Sequence, residues 1–213
     1  MTPSEQSQHA LSLCQLAPVI PVLVIENIAH AIPLAQALVA GGLPVLEVTL
    51  RTDCALDAIA AMSGVDGAVV GAGTVLNAGH MEAAKTAGAR FAVSPGATPA
   101  VIDAARVHDM PLLPGAQTCS EVMTLLEQGY TVQKFFPAES IGGANALKSI
   151  GGPLPQVTFC PTGGISLARA PDYLALPNVA CVGGSWIAPK TAMLEGDWGA
   201  ITELAKAASA LPR

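Results

Sequence analysis

Short apolar runs alternate with amphipathic stretches along almost the whole chain. Residues 18–25 form an apolar run of strand length. Asn27 then stands as a candidate helix cap, and apolar residues recur at helical spacing until Gly41-Gly42. The rhythm repeats. Strand-like segments follow at 44–50, 67–74, 90–94, 111–116, around Lys134, at 156–162 and at 179–183. Helical patterns are predicted over 53–62, 78–87, 99–107, 119–127, 144–150, 166–174 and 200–210. Ahead of the first strand, Thr2-Pro3-Ser4-Glu5 has the form of a helix start, with Thr2 as cap, Pro3 at the first helical position and Glu5 closing a capping box. That helix is predicted to run to about Leu16.

Eight nearly continuous apolar strands, each followed by a helix, imply an all-parallel sheet covered by helices. Eight such units in 213 residues predict a compact single-domain (β/α)8 TIM barrel over residues 17–213, with an extra N-terminal helix over 1–16. An open doubly wound sheet is the alternative, but it usually has fewer strands, and the GxGxxG turn after its first strand is absent here. No linker or low-complexity tract marks a second domain.

One strand breaks the apolar rule. In Val132-Gln133-Lys134-Phe135-Phe136-Pro137-Ala138-Glu139 a lysine sits mid-strand, whereas Lys85, Lys148, Lys190 and Lys206 fall in helical or loop stretches. A charge inside an apolar strand is costly without a task or a partner. A lysine that attacks a ketone must offer a neutral amine, and apolar surroundings favour the neutral form. A strand lysine that reaches solvent at a sheet edge is the plain alternative. The second strand places Val45, Glu47 and Thr49 on one face and Leu46, Val48 and Leu50 on the other, with Arg51 just past its end. Val132, Lys134 and Phe136 share a face of their own strand. If both faces point inward, a carboxylate and an amine share one apolar interior. A structural ion pair there would add little net stability, because desolvation offsets attraction, so a functional role is favoured. Arg51 is an anion-clamp candidate by its place at the strand end, and Thr74 and Thr162 reach the same rim. Gly163-Gly164 and Gly183-Gly184-Ser185 follow the seventh and eighth strands, where barrels of this kind bind phosphate through backbone N–H groups. Glu26, Glu121 and Glu139 are read as solvated or capping residues.

Composition narrows the function. Only 12% of residues are charged, about half the usual share, which implies that some apolar surface is covered in a homo-oligomer. The net charge is −6 with no basic cluster, so nucleic acid is excluded as a partner. No apolar run approaches the roughly 20 residues of a membrane span, and no signal-peptide pattern opens the chain. Five cysteines (Cys14, Cys54, Cys119, Cys160, Cys181) form no CxxC pair, so neither a disulfide framework nor a zinc knuckle is indicated and a cytoplasmic setting is expected. The four histidines avoid strand ends, and no catalytic metal is expected.

The motifs Glu47-Val-Thr-Leu-Arg51, Gly71-Ala-Gly-Thr-Val-Leu-Asn77, Ser94-Pro95-Gly96, Lys134-Phe-Phe-Pro-Ala-Glu139, Pro161-Thr-Gly-Gly-Ile165 and Gly183-Gly-Ser-Trp186 together resemble those of the bacterial 2-dehydro-3-deoxy-6-phosphogluconate (KDPG) aldolase family of the Entner–Doudoroff route. The resemblance covers nearly the whole chain, in order and at matching spacing. It implies a class I, Schiff-base aldolase on a compact barrel, usually a homotrimer, with no cofactor. By the same resemblance Lys134 is the Schiff-base lysine and Glu47 the proton shuttle. Arg51, Thr74, Pro95 and Phe136 would hold and line the pyruvyl end. Thr162, Gly163, Gly164, Gly184 and Ser185 would hold the phosphate of a small phosphorylated 2-keto acid. Runner-up readings are an aldolase for the galactonate epimer, a side activity on 4-hydroxy-2-oxoglutarate, a phosphate-binding barrel isomerase without covalent catalysis, and a non-catalytic sugar-phosphate sensor. Fold alone does not separate these.

Overall fold

The computed structural model describes residues 1–213. Helix α1 (Pro3–Cys14) opens as its sequence predicts. The Thr2 hydroxyl accepts from the Glu5 N–H, and the Glu5 carboxylate accepts from the Thr2 N–H at 2.7 Å. The strands are β1 (Val19–Leu23), β2 (Val45–Thr49), β3 (Val69–Gly73), β4 (Ala92–Val93), β5 (Leu112–Leu113), β6 (Gly115–Ala116), β7 (Val132–Phe135), β8 (Thr158–Pro161) and β9 (Val182–Gly184). Between and after them lie α2 (Ala31–Ala40), α3 (Ala55–Met62), α4 (Ala78–Thr86), α5 (Pro99–Val107), α6 (Cys119–Glu127), α7 (Gly143–Gly151), α8 (Ala170–Leu174), α9 (Lys190–Glu195) and α10 (Trp198–Ser209). No helix is long and apolar enough to cross a membrane.

All strand pairings are parallel, as the unbroken apolar strands require. The closed eight-stranded TIM barrel expected from the eight repeats is not what the strands form. They make a six-stranded sheet, ordered β5-β4-β3-β2-β1-β9, and a separate three-stranded sheet, β6-β7-β8. The reason lies at Pro114. A proline has no N–H to give a ladder, and it cuts the predicted fifth strand in two. Leu112-Leu113 pair with β4, while Gly115-Ala116 pair with β7. On the other side, β8 and the β9 segment meet only at single bridges, Phe159 with Val179 and Thr162 with Gly183.

Two apolar groups hold these sheets. The larger packs helices onto the outer strand faces, with Leu34, Leu38, Leu46, Val48, Ile59 and Met62 fully buried. The smaller lies between the sheets and joins Ile20, Val45, Phe91, Val93, Leu113 and Val132. Val45 and Val132 therefore face inward, and strand alternation carries Glu47 and Lys134 inward with them.

Helix α1 packs against β5 and β7. It is seated by polar contacts: the buried Gln6 side-chain carbonyl accepts from the Tyr130 hydroxyl at 2.8 Å, and the Ser7 hydroxyl accepts from the Thr131 N–H at 3.0 Å. Burial pushes the Tyr130 hydroxyl up to about 12, so it remains a donor across the neutral range. Replacing Gln6 by leucine leaves that phenol without its partner and should cost ~1–3 kcal/mol. A urea titration checks this; an unchanged midpoint would show that the bond does not seat the helix.

Candidate active site

Lys134 and Glu47 come from different sheets and meet in the interior, Nζ to Oε1 at 3.2 Å. Their side chains are 6% and 4% exposed. The Lys134 amine also lies 5.3 Å from the centre of the half-buried Phe136 ring. The neighbouring residue fixes the orientation of the lysine. Gln133 points to the opposite face, and its amide donates to the carbonyls of Val122 at 3.1 Å and Tyr130 at 2.9 Å. A slip of one residue would bury that amide in the interior and expel the lysine. On β2, the Thr49 hydroxyl donates to the Leu23 carbonyl at 2.8 Å and ties the strand to β1.

The Glu47 carboxylate rests over β3. A Cβ at Gly73 would lie 2.7 Å from Glu47 Cγ and would overlap the carboxylate oxygen. Glycine is therefore required there for space. Thr74, which follows, is half-buried with φ 59°, a left-handed conformation that threonine rarely adopts.

The remaining predicted residues line the ends of the strands. Arg51 is exposed just beyond β2, in a cleft of about 380 Å³ with Glu26, Thr52, Asp53 and Cys54. Pro95 follows the end of β4, half-buried, and its carbonyl crowds the backbone at Gly115. Thr162, Gly163 and Gly164 follow β8. The two glycines have φ of 108° and 77°, conformations open to glycine. Their loop is pinned from below, where the N–H groups of Ala138 and Glu139 donate to the Thr162 and Gly163 carbonyls at 2.8 and 3.0 Å. The bridge between Thr162 and Gly183 sets this loop beside Gly184 and the exposed Ser185. Ser185 opens onto a second cavity, about 380 Å³, with Val22, Val24 and the Lys190–Glu26 ion pair, 2.7 Å.

The structure thus joins Lys134, Glu47 and Phe136 directly, and joins the two glycine loops to each other. Arg51 and Ser185 open on neighbouring clefts that share Glu26 as a wall, and Lys134 and Glu47 line neither. The Lys134 amine donates to Glu47 alone. Glu121 is a cap, as expected, closing a capping box with Thr118. Glu139 is more than a solvated residue. It accepts from the Tyr173 hydroxyl, lies 3.8 Å from Arg169, and sits under Gly164. Burial first, and this bond second, raise the Tyr173 hydroxyl above its usual range. The sequence reading placed Ser94 in a motif but gave it no role. Its hydroxyl, like that of Thr162, is buried at a strand end with no partner. Its place immediately before Pro95 was the available signal.

A parallel α/β scaffold that buries a lysine against a carboxylate, beneath glycine-rich strand ends, is the arrangement of a lysine-dependent carbon–carbon lyase. The family model described as KDPG and KHG aldolase matches residues 11–204, and the chain belongs to that family. It is 55% identical, over 91% of its length and 90% of the relative's, to a 2-dehydro-3-deoxy-phosphogluconate aldolase of Pseudoalteromonas atlantica. It superposes with TM-score 0.93 on the 2-keto-3-deoxy-6-phosphogluconate aldolase of Zymomonas mobilis with 3-phosphoglycerate, at 54% identity, covering 97% of this chain and 98% of that one. The KDPG aldolase of Legionella pneumophila, 48% identical with TM-score 0.91, covers 94% of this chain and 98% of its own. Its crystal structure holds pyruvate captured at low pH as a covalent carbinolamine intermediate.

Gly73→Ala drives a methyl group into Glu47. On the expectation that Glu47 is the proton shuttle, misplacing it by about 1 Å should lower aldol cleavage by the folded variant ~10²-fold. A wild-type rate would show that the carboxylate position is not critical.

Proposed function

We propose that this chain is a class I aldolase that cleaves 2-dehydro-3-deoxy-6-phosphogluconate reversibly to pyruvate and D-glyceraldehyde 3-phosphate through a Schiff base on Lys134. The observation that carries the reading is the buried 3.2 Å contact between Lys134 and Glu47. Truly buried ion pairs are poor stabilisers, but a carboxylate beside an amine is what proton transfer during iminium formation needs.

In this reading neutral Lys134 attacks the C2 ketone, and Glu47 delivers the proton that lets water leave. The resulting iminium nitrogen is the electron sink. Glu47 then takes the C4 hydroxyl proton, the C3–C4 bond breaks, and glyceraldehyde 3-phosphate departs. The enamine is protonated at C3, and hydrolysis releases pyruvate and free lysine. Arg51 and Thr74 hold the pyruvyl carboxylate, with Pro95 and Phe136 lining that end. The N–H groups of Gly163, Gly164 and Gly184, with the Thr162 and Ser185 hydroxyls, hold the phosphate. Support for the phosphate end comes from the two glycine loops lying side by side and from the unpartnered Thr162 hydroxyl. The family name covers 4-hydroxy-2-oxoglutarate (KHG) as well, and a side activity on that dicarboxylate belongs to the same site.

The working unit in this reading is a cytoplasmic homotrimer. Exposed apolar side chains at Val107 and Leu194, 79% and 67% accessible, support association. Five free thiols suit a reducing compartment.

A pyruvate-coupled assay with KDPG tests the roles. Glu47→Gln should lower kcat by ~10²–10⁴-fold, the usual worth of one positioned acid/base, and Lys134→Ala should abolish the covalent route. An unchanged Glu47→Gln rate would remove that carboxylate from the mechanism.

A further inference from the structure

Three of the five cysteines converge in the interior although they are far apart in sequence, and Cys160 is the register partner of Lys134 between β7 and β8. Cys14 ends α1, Cys160 lies on β8, and Cys181 immediately precedes β9. All three are buried, and their sulfur atoms lie within 4.8 Å of one another. The Cys181 and Cys160 sulfurs are 3.5 Å apart, and all three thiols are free. Ala10, Ile20, Phe91 and Leu113 pack around them, and the Lys134 amine is the neighbouring charge on the Cys160 side. A void of about 10 Å³ borders Cys14. The proposed reaction makes no use of this cluster.

We propose that Cys14, Cys160 and Cys181 form a three-thiolate site for a soft trivalent ion of the arsenic(III) class. The ligand set selects thiophilic ions. A metal–thiolate bond of roughly 2.3 Å sets three sulfurs roughly 3.5–4 Å apart, which matches the cluster without moving the backbone far. Structural zinc sites take four ligands, and no histidine or carboxylate joins these three. Charge decides further. Three thiolates around a monovalent or divalent ion leave net negative charge in an apolar interior, which is costly. Around a trivalent ion they form a neutral centre.

The exchange balances without a change of oxidation state. Arsenous acid loses three hydroxyl groups, three thiols lose their protons, three arsenic–sulfur bonds form, and three waters leave. The bound ion would clamp the end of α1 to β8 and to the entry of β9. Entry requires α1 to lift, so loading is slow in the folded protein and fast during refolding.

Sodium arsenite is added to the reduced full chain, both folded and during refolding from urea. Native mass spectrometry and thiol titration in denaturant are the readouts. The expected result is one arsenic per chain, less three hydrogens, with titratable thiols falling from five to the two of Cys54 and Cys119. Cys14→Ser should weaken arsenite binding by at least ~10²-fold, the upper range for losing even an outer-shell partner of a metal site. Should that variant fail to fold, the Cys54→Ser/Cys119→Ser double variant keeps the test decisive. It retains only the buried thiols and should still load one arsenic. No arsenic after refolding, loading that needs Cys54 or Cys119, undiminished binding by folded Cys14→Ser, thiol loss through a Cys160–Cys181 disulfide instead, or tighter binding of zinc than of arsenite would each overturn the proposal.

Discussion

The contact between Lys134 and Glu47 is the interaction on which the rest of the structure depends. Each partner alone would be a buried charge, and an unpaired one costs several kcal/mol. The pair forms only if β2 and β7, which belong to different sheets, hold a fixed register across the interior. Much of the architecture serves that condition. The Gln133 amide locks the face of β7, the Thr49 hydroxyl ties β2 to β1, and Gly73 leaves the space the carboxylate occupies. The interior apolar residues, from Ile20 to Val132, pack around the pair and keep water from it.

The rim follows a different rule. Where the interior is packed with large side chains, the loop after β8 turns through glycine. Gly163 and Gly164 adopt positive φ, and the loop they form is held by main-chain bonds from Ala138 and Glu139. Thr74 pays in strain for a position that a glycine would hold freely. A rigid interior below and shaped loops above is the usual division of labour in parallel α/β enzymes.

How far the chain could be read in advance depended on the range of the signal. The capping box at Thr2, most of the helices, and the inward faces of Glu47 and Lys134 follow from local periodicity and are observed, although the helix expected over 166–174 narrows to Ala170–Leu174 and α9 was not predicted. Continuity of the sheet does not follow from periodicity. Residues 111–116 read as one strand, yet Pro114 sends its two halves to different partners, and the closed barrel becomes two sheets. The predicted site residues were legible as strand-end positions, but the adjoining clefts around Arg51 and Ser185, which share Glu26, depend on side-chain packing. The meeting of Cys14, Cys160 and Cys181 was illegible, because spacings of this length carry no pairing information without the fold.

The most direct test of the central claim is to trap the lysine. The protein is incubated with pyruvate and sodium borohydride, digested, and the added mass located by peptide mass spectrometry. The account predicts a reduced pyruvyl adduct on the peptide that carries Lys134 and on no other. No adduct with pyruvate in excess, or an adduct on a different lysine, would contradict it.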